Sequence, residues 1–96
     1  MYARVTTWEG VSPEAMKAGS EQINSSDGPP PGVPSEGITV LNDPKSGRSL
    51  VIGLFETEDD LKTGDAALRA MDRPPIDGMG DITSIDFWEV GVDRRM

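Results

Sequence analysis

The sequence predicts one α+β domain in which two β-α-β halves share a single antiparallel sheet. Three observations lead there. The chain has 96 residues, enough for one core and too few for two. Four segments show strand periodicity, and two others open on helix caps followed by apolar residues at helical spacing. Their order along the chain is β-α-β-β-α-β.

The first strand spans Met1 to Trp8. Met1, Ala3, Val5 and Thr7 alternate with Tyr2, Arg4, Thr6 and Trp8, giving one plainly apolar face and one amphipathic face. Ser12-Pro13-Glu14 then opens a helix. The Ser12 hydroxyl can accept free N–H groups of the first turn, Pro13 suits the first helical position, and Glu14 favours the positive helix end. This helix is expected to reach Asn24, with Met16 and Ile23 on one face. From Ser25 to Glu36 the density of proline and glycine forbids helix or central strand. Such a run can serve as a polyproline ligand. Its position between two elements favours a stiff connection back to the sheet.

A hairpin follows. Gly37–Asp43 is a strand, Pro44-Lys45-Ser46-Gly47 a turn, and Arg48–Phe55 the returning strand. Leu50 to Phe55 is apolar on both faces, as a strand covered on both sides should be. Thr57 caps the second helix and Glu58, Asp59 and Asp60 fill its first turn. Leu61, Ala67, Leu68 and Met71 form its inner stripe, with Lys62, Asp65 and Arg69 expected outward. The helix ends before Pro74-Pro75. A linker from Asp72 to Asp81 leads to the last strand, Ile82 to Val92.

This order is that of a ferredoxin-like βαββαβ domain covering residues 1–96. It has a four-stranded antiparallel sheet with both helices on one face. The bare face is expected to carry Arg4, Thr6, Trp8, Ser84, Asp86, Trp88 and Val90, with Ala3, Val5, Ile85 and Phe87 toward the helices. Two indoles on an uncovered sheet call for a second copy packed face to face, so the expected partner is the chain itself, as a homodimer.

Composition removes several function classes. Nine Lys and Arg stand against 17 Asp and Glu, a net charge of −8, which repels phosphate backbones and anionic lipid. Neither a nucleic acid nor a membrane is therefore an expected partner. There is no cysteine, so disulfides, thiolate metal sites and cysteine nucleophiles are out. There is no histidine, which removes the commonest general base, the usual zinc and haem ligand and every imidazole triad. No apolar stretch approaches a membrane span, and the N-terminus reads as strand rather than leader, so the expected location is cytoplasmic.

The element order, together with the segment from Asn42 through the hairpin turn to Leu61, resembles the dimeric α/β-barrel superfamily, in particular its antibiotic-biosynthesis-monooxygenase-like members. In that family a turn of this kind leads into an apolar strand ending in an aromatic and an acid. A Thr or Ser cap then opens the helix. Here those positions are Asp43 to Arg48, Phe55-Glu56 and Thr57-Glu58-Asp59-Asp60-Leu61. The resemblance implies a homodimer and a small oxygenase working without metal or haem on an aromatic or polyketide-like molecule. The histidine of the haem-binding members has no counterpart here. The cofactor-independent members place Asn, Trp, Arg and Tyr around the substrate, and Tyr2, Arg4, Trp8, Trp88 and Asn42 are residues of those types. No catalytic residue is assigned, and no cofactor or metal is expected. The alternative is a non-catalytic small-molecule-binding or oligomerisation protein of the same fold.

The candidate ligand-binding residues are Tyr2, Arg4, Trp8, Asp86 and Trp88. The two indoles could stack on a flat apolar or aromatic ligand; equally they could anchor a dimer core. Arg4 and Asp86 could orient a polar group, with Asp86 as a base, or simply pair across strands. Asp72, Asp77 and Asp81 have the wrong spacing for an EF-hand and lack its terminal Glu, and Gly78-Met79-Gly80 lacks the rest of a dinucleotide fingerprint.

Overall fold

The computed structural model of the chain describes residues 1–71 and 78–94. The elements are β1 (Tyr2–Glu9), α1 (Pro13–Asn24), β2 (Gly37–Asp43), β3 (Arg48–Phe55), α2 (Glu58–Ala70) and β4 (Asp81–Glu89). The four strands form one open antiparallel sheet in the order β2-β3-β1-β4, compatible with a ferredoxin-like plan. The last strand stops at Glu89, short of the expected Val92. Asp72 and Asp77 lie outside the described residues.

The helix starts form as their residues dictate. The Ser12 hydroxyl accepts from the Ala15 N–H at 3.1 Å, and the Thr57 hydroxyl from the Asp60 N–H at 3.1 Å. In the hairpin turn, Asp43 accepts from the Lys45 N–H at 3.2 Å and the Ser46 hydroxyl at 2.9 Å. The Ser46 bond, ahead of a smaller opposing effect of burial, holds the Asp43 carboxyl below its usual range. Gly47 closes the turn at φ 72°, where an L side chain is strained. The Val11 N–H donates to the Gly47 carbonyl at 2.8 Å, tying the start of α1 to this hairpin.

Two apolar clusters lie between helices and sheet. Under α1, Val11, Ala15 and Met16 pack with Trp8 and Met79. Under α2, Phe55 and Leu61 pack with Val33, Tyr2, Ala67 and Leu68. Val33 comes from the Pro-rich run, so that connection is pinned to the core by a single apolar side chain.

The phase of β1 is the reverse of the expected one. Tyr2, Arg4, Thr6 and Trp8 face the helices, and Ala3, Val5 and Thr7 lie on the open face. Tyr2 and Trp8 belong to the two helix-side clusters, and Arg4 bonds to Asp65 of α2. Phe55 fixes the phase. It is opposite Tyr2 in the β1–β3 register, and its ring is buried against Gly64 of α2. Register then carries the phase across the sheet: Ser49, Val51 and Gly53 go under the helices, and Leu50, Ile52 and Leu54 go to the open face. Asp65, expected outward, turns inward to Arg4. The assignments of Ile85 and Phe87 to the helix side, and of Ser84, Asp86 and Trp88 to the open face, agree with the register.

Candidate functional site

The five candidate residues do not form one site. Trp8 packs under α1 and Trp88 lies opposite Ala3, so the two indoles are on opposite faces of the sheet. Arg4 stands opposite Phe87, and Asp86 opposite Val5. Arg4 and Asp86 are therefore on opposite faces and cannot pair. A strand neighbour was the simplest partner to expect, but alternation puts residues with register offset by one on different sides.

Arg4 is buried all the same. Its Nε donates to Asp65 Oδ1 at 2.8 Å and its Nη1 to Thr6 Oγ1 at 3.0 Å. Arg69 reaches the same carboxylate from one turn along α2, its Nε at 2.9 Å. Burial alone pushes the Asp65 carboxyl up. The hydrogen bonds from Arg4 and Arg69 and their positive charge outweigh it, and the group ends below the usual carboxylate range. The arrangement is a satisfied buried network, with every buried polar side-chain atom among the described residues bonded.

Tyr2 and Trp88 both border a cleft of about 200 Å³ where α2 begins, Trp88 from the edge strand β4. Its other walls are Leu61, Phe87, Glu58, Lys62 and Glu89. Lys62 Nζ sits 3.2 Å from Glu58 Oε1, a water-exposed pair. The cleft is open, and its charged walls Glu58, Lys62 and Glu89 are exposed.

A second void, of about 30 Å³, lies between α1 and the sheet, lined by Met16, Ile23, Val40, Val51 and Met79. A polar chain closes one side: Ser49 Oγ donates to Asn42 Oδ1 at 2.8 Å, and Asn42 Nδ2 donates to Ser20 Oγ at 3.1 Å. Sequence pointed to Asn42 only by residue type. The Ser20 and Ser49 partners gave no signal, because serine at one position of a helix and one of a strand carries no pattern of its own. The void has room for about one or two waters.

Among the described residues, no group of three or more Asp or Glu is placed to hold a metal ion, and no helix is long and apolar enough to cross a membrane. No family model, no curated protein and no solved structure matches the chain.

The most distinctive surface is the open face of the sheet. Leu41 of β2, Leu50, Ile52 and Leu54 of β3, and Val5 and Ala3 of β1 share it with Trp88 of β4. Leu41 and Trp88 are 50% and 60% exposed there and Ala3 only 7%; on the helix side Ile38 and Phe87, on the outer strands, are 50% and 49% exposed, against 1% for Phe55. Asp86 is its single central charge; Asp43 and Arg48 sit together at its rim.

Proposed function

We propose that this chain is a self-pairing ferredoxin-like module whose sheet closes face to face on a second copy, a non-catalytic oligomerisation or small-molecule-binding protein rather than an oxygenase. The observation that carries the reading is the uncovered aliphatic face from Leu41 to Trp88. Four strands at about 4.8 Å spacing and some eight residues long at about 3.3 Å each span roughly 500 Å² in projection. A stable interface buries ~800 Å² per partner, so the sheet face would form the larger part of one. Covering its apolar part would favour association, since each Å² of apolar surface removed from water contributes about 25 cal/mol.

The voids support the non-catalytic reading. A site for a polycyclic substrate needs about 300 Å³ or more, enclosed, with a polar group reaching in. The void near Asn42 has the polar group and about a tenth of that volume. The cleft at Tyr2 and Trp88 has more volume but is open, and its charged walls Glu58, Lys62 and Glu89 are exposed. A small apolar ligand would suit the dimer seam better than either.

Native mass spectrometry tests this. The expected species is twice the 10.3 kDa chain, with or without a retained small molecule. A folded single chain at tens of micromolar would overturn the reading. A dimer carrying an oxidised aromatic compound in stoichiometric amount would reinstate the oxygenase.

A further inference from the structure

We propose that the cleft where α2 begins binds a small organic cation, an alkylated ammonium ion seated against Tyr2 and Phe87 with carboxylates at its rim. The site goes beyond the pairing and needs only one copy. Register sets Tyr2 opposite Glu89 and Arg4 opposite Phe87. Tyr2, Phe87 and Glu89 therefore stand on the helix side, away from the face that would meet a second copy.

The first argument is where the aromatic side chains go. The chain has two Trp, one Tyr and two Phe. Trp8 and Phe55 belong to the clusters under the helices. Phe87 and Trp88 instead border the cleft and stay 49% and 60% exposed. Tyr2 is half-buried and joins the two settings, packing on the Phe55 cluster while lining the cleft. Exposed rings offer π faces, and a π face attracts a cation through its quadrupole.

The second argument is charge. Lys62 is the only cation in the cleft wall, and it already pairs with Glu58 at 3.2 Å. Glu89 has no ion pair among the described residues. One carboxylate is thus left uncompensated, in a chain of net charge −8 that adds the same sign. The start of α2 contributes about half a positive charge, which Glu58, Asp59 and Asp60 in its first turn outweigh.

The third argument is size and lining. The cleft holds about 200 Å³, with buried Leu61 as an apolar wall. Drug-sized ligands occupy about 300 Å³ or more, so the occupant is compact. An anion would meet Glu89 and be repelled. A neutral apolar molecule would leave that carboxylate and the π faces unused. An alkylated ammonium ion meets all three walls, its methyl groups on Leu61 and the rings and its charge toward Glu89.

Choline and its uncharged isostere 3,3-dimethylbutan-1-ol test this, titrated at low salt against isotope-labelled protein and followed by amide NMR. Choline is expected to saturate with a Kd of about 0.1–1 mM, its shifts centred on Tyr2, Leu61, Phe87 and Glu89. The isostere should bind about tenfold more weakly, and added salt should weaken choline alone. Phe87→Leu keeps apolar bulk without the π face, and Glu89→Gln keeps shape without the charge. Each should weaken choline about threefold or more and leave the isostere unchanged. Both positions are exposed on an edge strand, and the amide spectrum of each variant checks its fold. Equal affinity for choline and the isostere would make the cleft an apolar groove and overturn the inference. So would shifts that fail to saturate by about 10 mM, shifts centred on the open face, or variants that bind choline as the parent does. A trimethyllysine peptide binding about tenfold more tightly than choline would give the site to a peptide side chain and overturn the free ion as its occupant.

Discussion

The two faces of the sheet both carry apolar side chains and differ in what covers them. The face under the helices buries an arginine, a threonine and a serine, with Arg4 8%, Thr6 4% and Ser49 2% exposed. The face open to water carries leucines, isoleucine, valine and tryptophan. The helix side tolerates polar groups because α1 and α2 bring partners for them: Asp65 for Arg4 and Ser20 for Asn42. Among the described residues no helix covers the open side, and an aliphatic surface of that kind is what an interaction site presents. Under the proposed pairing, a second copy would cover what the chain's own helices leave bare.

The comparison breaks most visibly on its largest side chains. Phe55 is the most buried residue of the helix side, packed with Val33 and Leu61. Phe55→Ala should cost about 3–5 kcal/mol, the same at every protein concentration, because the loss is inside one chain. Ile52→Ala, three residues away on the open face, should instead lose about 2 kcal/mol or more where the parent is paired, and much less at dilutions where the parent is a single chain. Denaturation at micromolar and at hundred-micromolar chain separates them. Concentration-independent losses for both would mean that the open face does not pair.

The elements themselves were legible, because caps, period and turn residues are local. Ser12, Thr57 and the Pro44–Gly47 turn each formed as their chemistry predicts. The faces were not legible, because phase is a question of which neighbour wins. Counting apolar residues along β1 sends Ala3 and Val5 inward. The fit of the Phe55 ring against Gly64 sends them outward, and no feature of β1 alone announces it. The same blindness hid Asp65. It sits among outward positions on α2, and only the reversed β1 gives it a buried cation. Of the five site candidates, Tyr2 and Trp88 both border the cleft, while Arg4, Trp8 and Asp86 followed the phase of their strands to separate places.

The Arg4–Asp65 contact is the next way to sharpen the contrast, since it lies on the helix side and titrates. The Asp65 carboxyl is held below its unfolded range of about 4, so its contribution is full above that pH and lost as acid protonates it in the folded chain. Asp65→Asn should therefore lower stability by about 1–3 kcal/mol at neutral pH, leaving Arg4 with a weaker acceptor. The gap between variant and parent should close as pH falls below about 4. Urea titrations at pH 7 and pH 3 measure it. A gap unchanged across that span would mean that the charge of Asp65 does nothing for Arg4.

The smallest expected effect pits two glycines against each other, one on each face. Gly64 lies inside α2, where alanine normally gains about 1 kcal/mol of helix preference. Here the added Cβ would stand 2.5 Å from Phe55 Cε1 and 2.8 Å from Cζ. The ring is 1% exposed and closed in by Val33 and Leu61, so it has nowhere to swing. Overpacking of about 1–3 kcal/mol should then exceed the helix gain, and Gly64→Ala should destabilise by about 1 kcal/mol net. Gly37→Ala on the open face meets only the end of Leu54, and a strand gains from losing its glycine, so it should stabilise the separated chain by a few tenths of a kcal/mol or about that. Opposite signs from one methyl group at two glycines locate the packed face and the bare one. A stabilising Gly64→Ala would mean that α2 rides higher on Phe55, and the phase argument for β1 would lose its anchor.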